Sequence, residues 1–178
     1  MAVIATLEQQ LDTPADVLAA ARVNQREAEA AEVRVLEAAV HWCAMHPAES
    51  VTECPSWASM RGFGDQPTGL AGPGAPLVTE FAVIELAAAL GKPVDAGRAY
   101  LAEALELRYR LPKVWAKVTG HDLPAWKARS IARRTLRLPA KGADFVDRHV
   151  APVAGTVGPA ALERLVEGGA GAVRLRRG

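Results

Sequence analysis

Apolar residues along this chain recur at helical spacing, and Gly and Pro fall where helices would begin or end. Residues 15–44 contain neither Gly nor Pro. Thr13 stands before them as an N-cap, Pro14 at the first helical position and Asp16 in the first turn, which predicts one long helix over 13–46. Along it Leu36, Val40 and Cys43 share a face, with Val35, Ala39 and Trp42 beside it. Arg22 to Glu32 is polar and alanine-rich, as expected of a surface stretch.

Pro47 stops that helix. Residues 47–77 hold five prolines and five glycines and read as a long connection. The run GLAGPGAP (69–76) reads as a hinge and a lobe boundary. Helical patterning resumes at 78–90, where Thr79 is a candidate cap, and continues through 93–110 and the short segment 113–120, closed by Gly120. It goes on through 123–137 with Asp122 as candidate cap, then 140–150 and 158–168. Residues 78–168 thus form a helical lobe, and the Gly/Arg-rich 169–178 is expected to be a disordered tail. No sustained alternation calls for strands, and no fixed-period repeat is visible. The expectation is an all-α, multi-helix bundle with a long N-terminal helix, a Pro/Gly-rich connection and a helix-turn-helix-like pair.

Composition narrows this. Half of the 178 residues are hydrophobic but only 5% are aromatic, so the core must be built from Ala, Leu and Val, which favours closely packed helices. No run approaches the roughly 18 apolar residues of a membrane span. MAVIATLEQQLDTPAD lacks the basic start of a secretory signal. Two cysteines are too few for a disulfide framework. A cytoplasmic protein is expected.

Net charge is +1, but its distribution is lopsided. Residues 1–90 carry four arginines against twelve acids, a net of −8; residues 91–178 carry seventeen cations against eight acids, a net of +9. Such asymmetry suits an anionic partner for the basic half, or two halves that neutralise each other.

Ten cations crowd residues 105–141 against Glu106 and Asp122. On a helix beginning near Asp122, Arg129, Arg133 and Arg137 fall within about 80° of one another. Lys127 and Arg134 widen the stripe, and Trp126 lies in it, placed to stack on Arg129 or on a base. These five cations are the first candidates for phosphate contacts, with Arg108, Arg110, Lys113 and Lys117 as a second rank. The alternative is that the arginines pair with Glu27, Glu29, Glu32 and Glu37 of the long helix. Phe81 to Leu107 also has helix-turn-helix spacing, with Ala87 at the close-packing position and Gly91 at the turn. Gly97, however, replaces the branched residue expected there, and Glu103 and Glu106 would face phosphates.

Catalytic signals are missing. His41, Cys43, His46 and Cys54 lack the tight paired spacing of a zinc site, and Cys43 suits a small core position. There is no phosphate loop, nucleophile triad or carboxylate pair. No cofactor or small-molecule ligand is implied.

HWCAMHP (41–47), GPGAPLVTEFAVIELAAALG (72–91), ALELRYRLPKVWAKV (104–118), PAWKARSIARRT (124–135) and FVDRHVAPVAGTVGPAALERLVE (145–167) together resemble the 13E12 repeat family of actinobacteria, domain of unknown function number 222. The resemblance covers roughly residues 15–167. In that family this helical region usually precedes an HNH endonuclease module, so it implies a nucleic-acid context. Four scattered histidines and one asparagine cannot assemble the nuclease set here. The resemblance therefore implies a non-catalytic, DNA-binding or DNA-positioning module without the nuclease. The alternatives are a protein-interaction or self-association module, in which the acidic helix docks on the basic lobe of another copy, and a truncated member without function. An uncovered arginine stripe would favour nucleic acid; a covered one would favour association.

Overall fold

The computed structural model describes residues 11–49 and 64–175, with side chains to residue 168. Among these residues the chain forms seven helices: α1 (Pro14–Met45), α2 (Glu80–Ala89), α3 (Val94–Arg110), α4 (Pro112–Thr119), α5 (Ala125–Thr135), α6 (Ala140–Val150) and α7 (Pro159–Leu175). The all-α bundle expected from the patterning is what forms. None of these helices is long and apolar enough to cross a membrane.

The only strands among the described residues are β1 (Pro67–Thr68) and β2 (Val78–Thr79), paired antiparallel with Pro67 opposite Thr79, and Pro47 bridges to Val78. Two residues are too few to leave an alternating signature.

α3 is the axis of the bundle, packing against α1, α2, α4, α5 and α6. Tyr100 to Leu107 is buried at every position, so this helix has no solvent face over two turns. Leu101, Leu105 and Leu107 meet Leu36 of α1, Val83 of α2, Val114 of α4, Ile131 of α5 and Val146 of α6 in one core. Leu and Val fill it between close-set helices whose contacts are alanines. At the tightest of these, a Cβ on Gly97 would stand 2.9 Å from the Ala87 Cα. Gly97 is thus what lets α3 lie against α2, where a branched residue was expected.

The local signals vary in fidelity. Thr13 caps α1 as expected: its hydroxyl accepts from the Asp16 N–H at 3.2 Å, and the Asp16 carboxylate accepts from the Thr13 N–H at 3.0 Å. Gly91, at φ 61°, closes α2, with the Lys92 N–H donating to the Ala87 carbonyl at 2.9 Å and Gly91 to Ala88 at 3.0 Å. Thr79 does not cap α2 with its side chain; the Asp65 carboxylate accepts from the Phe81 N–H at 2.9 Å instead. Asp122 does not cap α5, which starts after Pro124. Gly120 closes α4 as expected, its N–H donating to the Ala116 carbonyl at 2.9 Å, and His121 follows it in the left-handed conformation at φ 60°. There the Asp122 N–H reaches the Lys117 carbonyl at 2.8 Å. Asp147 of α6 caps α4 from across the fold, accepting from the N–H groups of Lys113 and Val114 at 3.0 and 2.9 Å.

The run 69–76 is anchored at its start: Leu70 and Ala71 pack on the core, and the Gly72 N–H donates to the buried Glu106 carboxylate at 3.0 Å. A Cβ on Gly72 would collide with the Arg110 guanidinium and lie 2.7 Å from the Leu136 carbonyl, so only glycine fits this wedge. At the other end α7 runs to Leu175, and most of the stretch expected as a disordered tail continues that helix.

Candidate nucleic-acid interface

α5 is amphipathic as its sequence indicates: Ala125, Ala128, Ile131, Ala132 and Thr135 are buried, and the cations lie on the other side. What holds those cations was not foreseen. Glu103 of α3, only 2% exposed, receives the Arg129 Nε at 2.7 Å on one oxygen and the Arg133 Nε at 2.7 Å on the other. One buried carboxylate between two guanidiniums leaves a net charge of +1. Among the described residues the Nη groups of both arginines make no hydrogen bond, and Arg133 is 62% exposed.

Arg129 then lies over the Tyr100 ring, its guanidinium carbon 4.5 Å from the centroid, with Lys92 at 5.6 Å. Both line a groove of about 450 Å³ between α1, the α2–α3 turn and α5, walled by Ala28, Ala31, Glu32 and Leu90. Burial pushes the Tyr100 phenol up to about 12, with Arg129 opposing and Glu32 and Glu103 adding to the shift. Arg129 therefore stacks on Tyr100 rather than on Trp126.

The remaining candidates scatter. Arg134 turns to Glu163 of α7 at 2.6 Å. Lys127 donates to the Val157 carbonyl at 3.0 Å and lies 5.8 Å from the Trp126 ring centroid. Arg137 is exposed and lies two residues beyond the end of α5 at Thr135, after Leu136, which still has helical backbone angles. In the second rank, Arg108 and Lys113 are exposed and Lys117 is half-buried; no hydrogen bond or ion pair joins them to α5 among the described residues.

Arg110 is a correction, because it is no surface cation. It is buried on Glu106 at 2.7 Å and donates to the Leu138 carbonyl at 2.5 Å. Pairing is needed there because both side chains point into the bundle, and two ions in a dry interior persist only when each has partners.

Glu103 and Glu106 likewise do not face outward: over residues 100–107 α3 has no surface for a DNA groove, and its exposed positions lie towards its two ends, Val94 to Ala96 with Ala99, and Arg108 to Tyr109. Nor do the glutamates of α1 neutralise the arginines: among the described residues, Glu103 and Glu163 do so. Glu103 and Tyr100 are the residues that sequence reasoning missed. Their signal was a pair of glutamates three apart inside the apolar run YLAEALEL (100–107).

Among the described residues no group of three His, Cys, Asp or Glu could hold a metal. Cys43 lies in the core, where burial pushes its thiol up to about 11. The His46 ring lies tilted against Trp42, with centroids 4.0 Å apart, and pairs with that residue's carbonyl at 2.8 Å. Cys54 lies outside the described residues. No protein-family model, curated protein or solved structure matches this chain.

Proposed function

We propose that the chain is a non-catalytic module that binds the phosphate backbone of nucleic acid through the exposed side of α5, as its resemblance to the 13E12 repeat family implies. The observation that carries this reading is the Glu103 clasp. Gripping Arg129 and Arg133 at Nε fixes two guanidinium planes and leaves their Nη edges for an anion. Fixed donors lose less conformational entropy on binding than free surface arginines. Phosphate contacts position a protein but carry little sequence information, so affinity should vary little with sequence.

Fluorescence anisotropy against log[salt] tests this. Replacing the exposed Arg133 and Arg137 by Ala should weaken duplex binding on every sequence alike. The salt slope should flatten by about 0.9 for each phosphate no longer neutralised. An unchanged slope in both variants removes the reading. Plasmid DNA incubated with magnesium, manganese or zinc should stay uncut.

One observation favours a second reading, self-association. Residues 14–28 of α1 are exposed except for half-buried Ala20, and Val17, Leu18 and Val23 stand in solvent. An isolated helix of roughly 15 residues is marginal in water. A second copy covering the apolar positions of this arm would stabilise it. Light scattering should then report a dimer that Leu18→Glu converts to monomer; a monomeric wild type at high concentration excludes it.

A further inference from the structure

We infer that the α5 surface is built for single-stranded rather than duplex nucleic acid, with Trp126 as the platform on which an unpaired base stacks. This rests on the phosphate-binding reading above and adds the class of ligand.

Trp126 opens α5, and Arg129 and Arg133 follow three and seven residues later on the same side of the helix, a row about 10 Å long. The indole is 47% exposed. Arg129 stacks on Tyr100 and not on the indole, while the Lys127 ammonium, 5.8 Å from the indole centroid, is held at the edge of the site by the Val157 carbonyl. The other two tryptophans among the described residues are engaged. Trp42 donates its indole N–H to the Ala82 carbonyl at 2.9 Å, and Trp115 packs on the core. Trp126 thus stands half-exposed at the head of a guanidinium row, which distinguishes it from the similarly exposed Phe81 and Tyr109.

In duplex DNA each base is stacked on both faces and offers the indole only an edge. A single strand offers a free π-face every nucleotide, with its phosphates within reach of the arginines. Aromatic platform plus cationic track is the general form of single-strand recognition. It is also tolerant of sequence, because every base has a π-face.

The test is anisotropy at low ionic strength with two probes, an oligothymidylate of about 16 nucleotides and a duplex of equal length. The single strand should bind more tightly than the duplex. Trp126→Ala should weaken the single strand about 5- to 150-fold, the loss expected for one stacked base. It should change duplex affinity less than about twofold on the same ground, and Trp126→Phe should restore most of the single-strand affinity. Melting curves check that the exposed substitution leaves the fold intact. Equal or tighter duplex binding, or a Trp126→Ala variant that binds the single strand as wild type does, overturns the single-strand inference and leaves the phosphate reading standing. Absence of binding to both probes overturns both.

Discussion

Replacing Arg129 and Arg133 together by Ala would strip both partners from Glu103 while leaving its carboxylate, 2% exposed, inside the bundle. Breaking a buried ion pair from one side costs about 3–5 kcal/mol, because the remaining charge stays desolvated. Removing two hydrogen bonds to a charged group, at about 1.5–3 kcal/mol each, gives a similar figure. For a domain of this size that corresponds to a fall in melting temperature of about 6–20 °C. Arg133→Ala alone should cost only about 1 kcal/mol, since Arg133 is 62% exposed and Arg129 still covers Glu103. The cost is one of uncompensated charge rather than disrupted helix. Glu103→Leu in the double-mutant background should therefore recover most of it, and adding Glu103→Leu in the wild-type background closes the cycle between the carboxylate and its arginines. Urea titration followed by circular dichroism, with the slope m compared across variants, reads all of these. A double mutant within about 1 kcal/mol of wild type, or a Leu rescue with no effect, would refute the role given to Glu103. Removing Arg129 and Arg133 together therefore harms the fold even though the apolar face of α5 is untouched. DNA-binding tests should use Arg133 and Arg137 instead.

Gly97→Ala should destabilise the protein in urea titration, because overpacking against Ala87, about 1–3 kcal/mol, outweighs the gain in helix propensity of about 0.5–1 kcal/mol. A more stable variant would show that α2 and α3 can part freely. His121→Gly should stabilise by up to about 1 kcal/mol in the same assay, by relieving a left-handed side chain; any destabilisation contradicts that strain. Tyr100 ionises near 12 in the fold against 10 when unfolded, so above pH 10 the unfolded chain loses its proton first. Its contribution to stability is therefore complete below pH 10 and declines as pH rises towards 12, and Tyr100→Phe should flatten that decline in pH-dependent melts. An identical decline in the variant assigns it to other groups.

Much of the fold could be read from neighbours in the sequence. Thr13, Pro14 and Asp16 mark the start of α1 because a capping box joins atoms three residues apart. Gly91 and Pro112 mark their boundaries because φ and a missing N–H are properties of one residue. The amphipathic division of α5 follows from helical period alone. The fate of the cations on it does not. Arg129 and Arg133 meet a carboxylate 26 and 30 residues away, while on α3 the i,i+4 pair Glu106–Arg110 is placed inside the core only by the helices that close on it. Asp65 and Asp147 cap helices from 16 and 33 residues away, where no local signal pointed. A charged residue reads as a surface residue until packing encloses its helix, and α3 is enclosed because five other helices close on it at once. The sequence by itself determined where helices run and which face of each is apolar. Only the tertiary structure decided which charges are buried and paired, and which remain at the surface to meet a ligand, because burial is a property of the assembled bundle and not of any one segment.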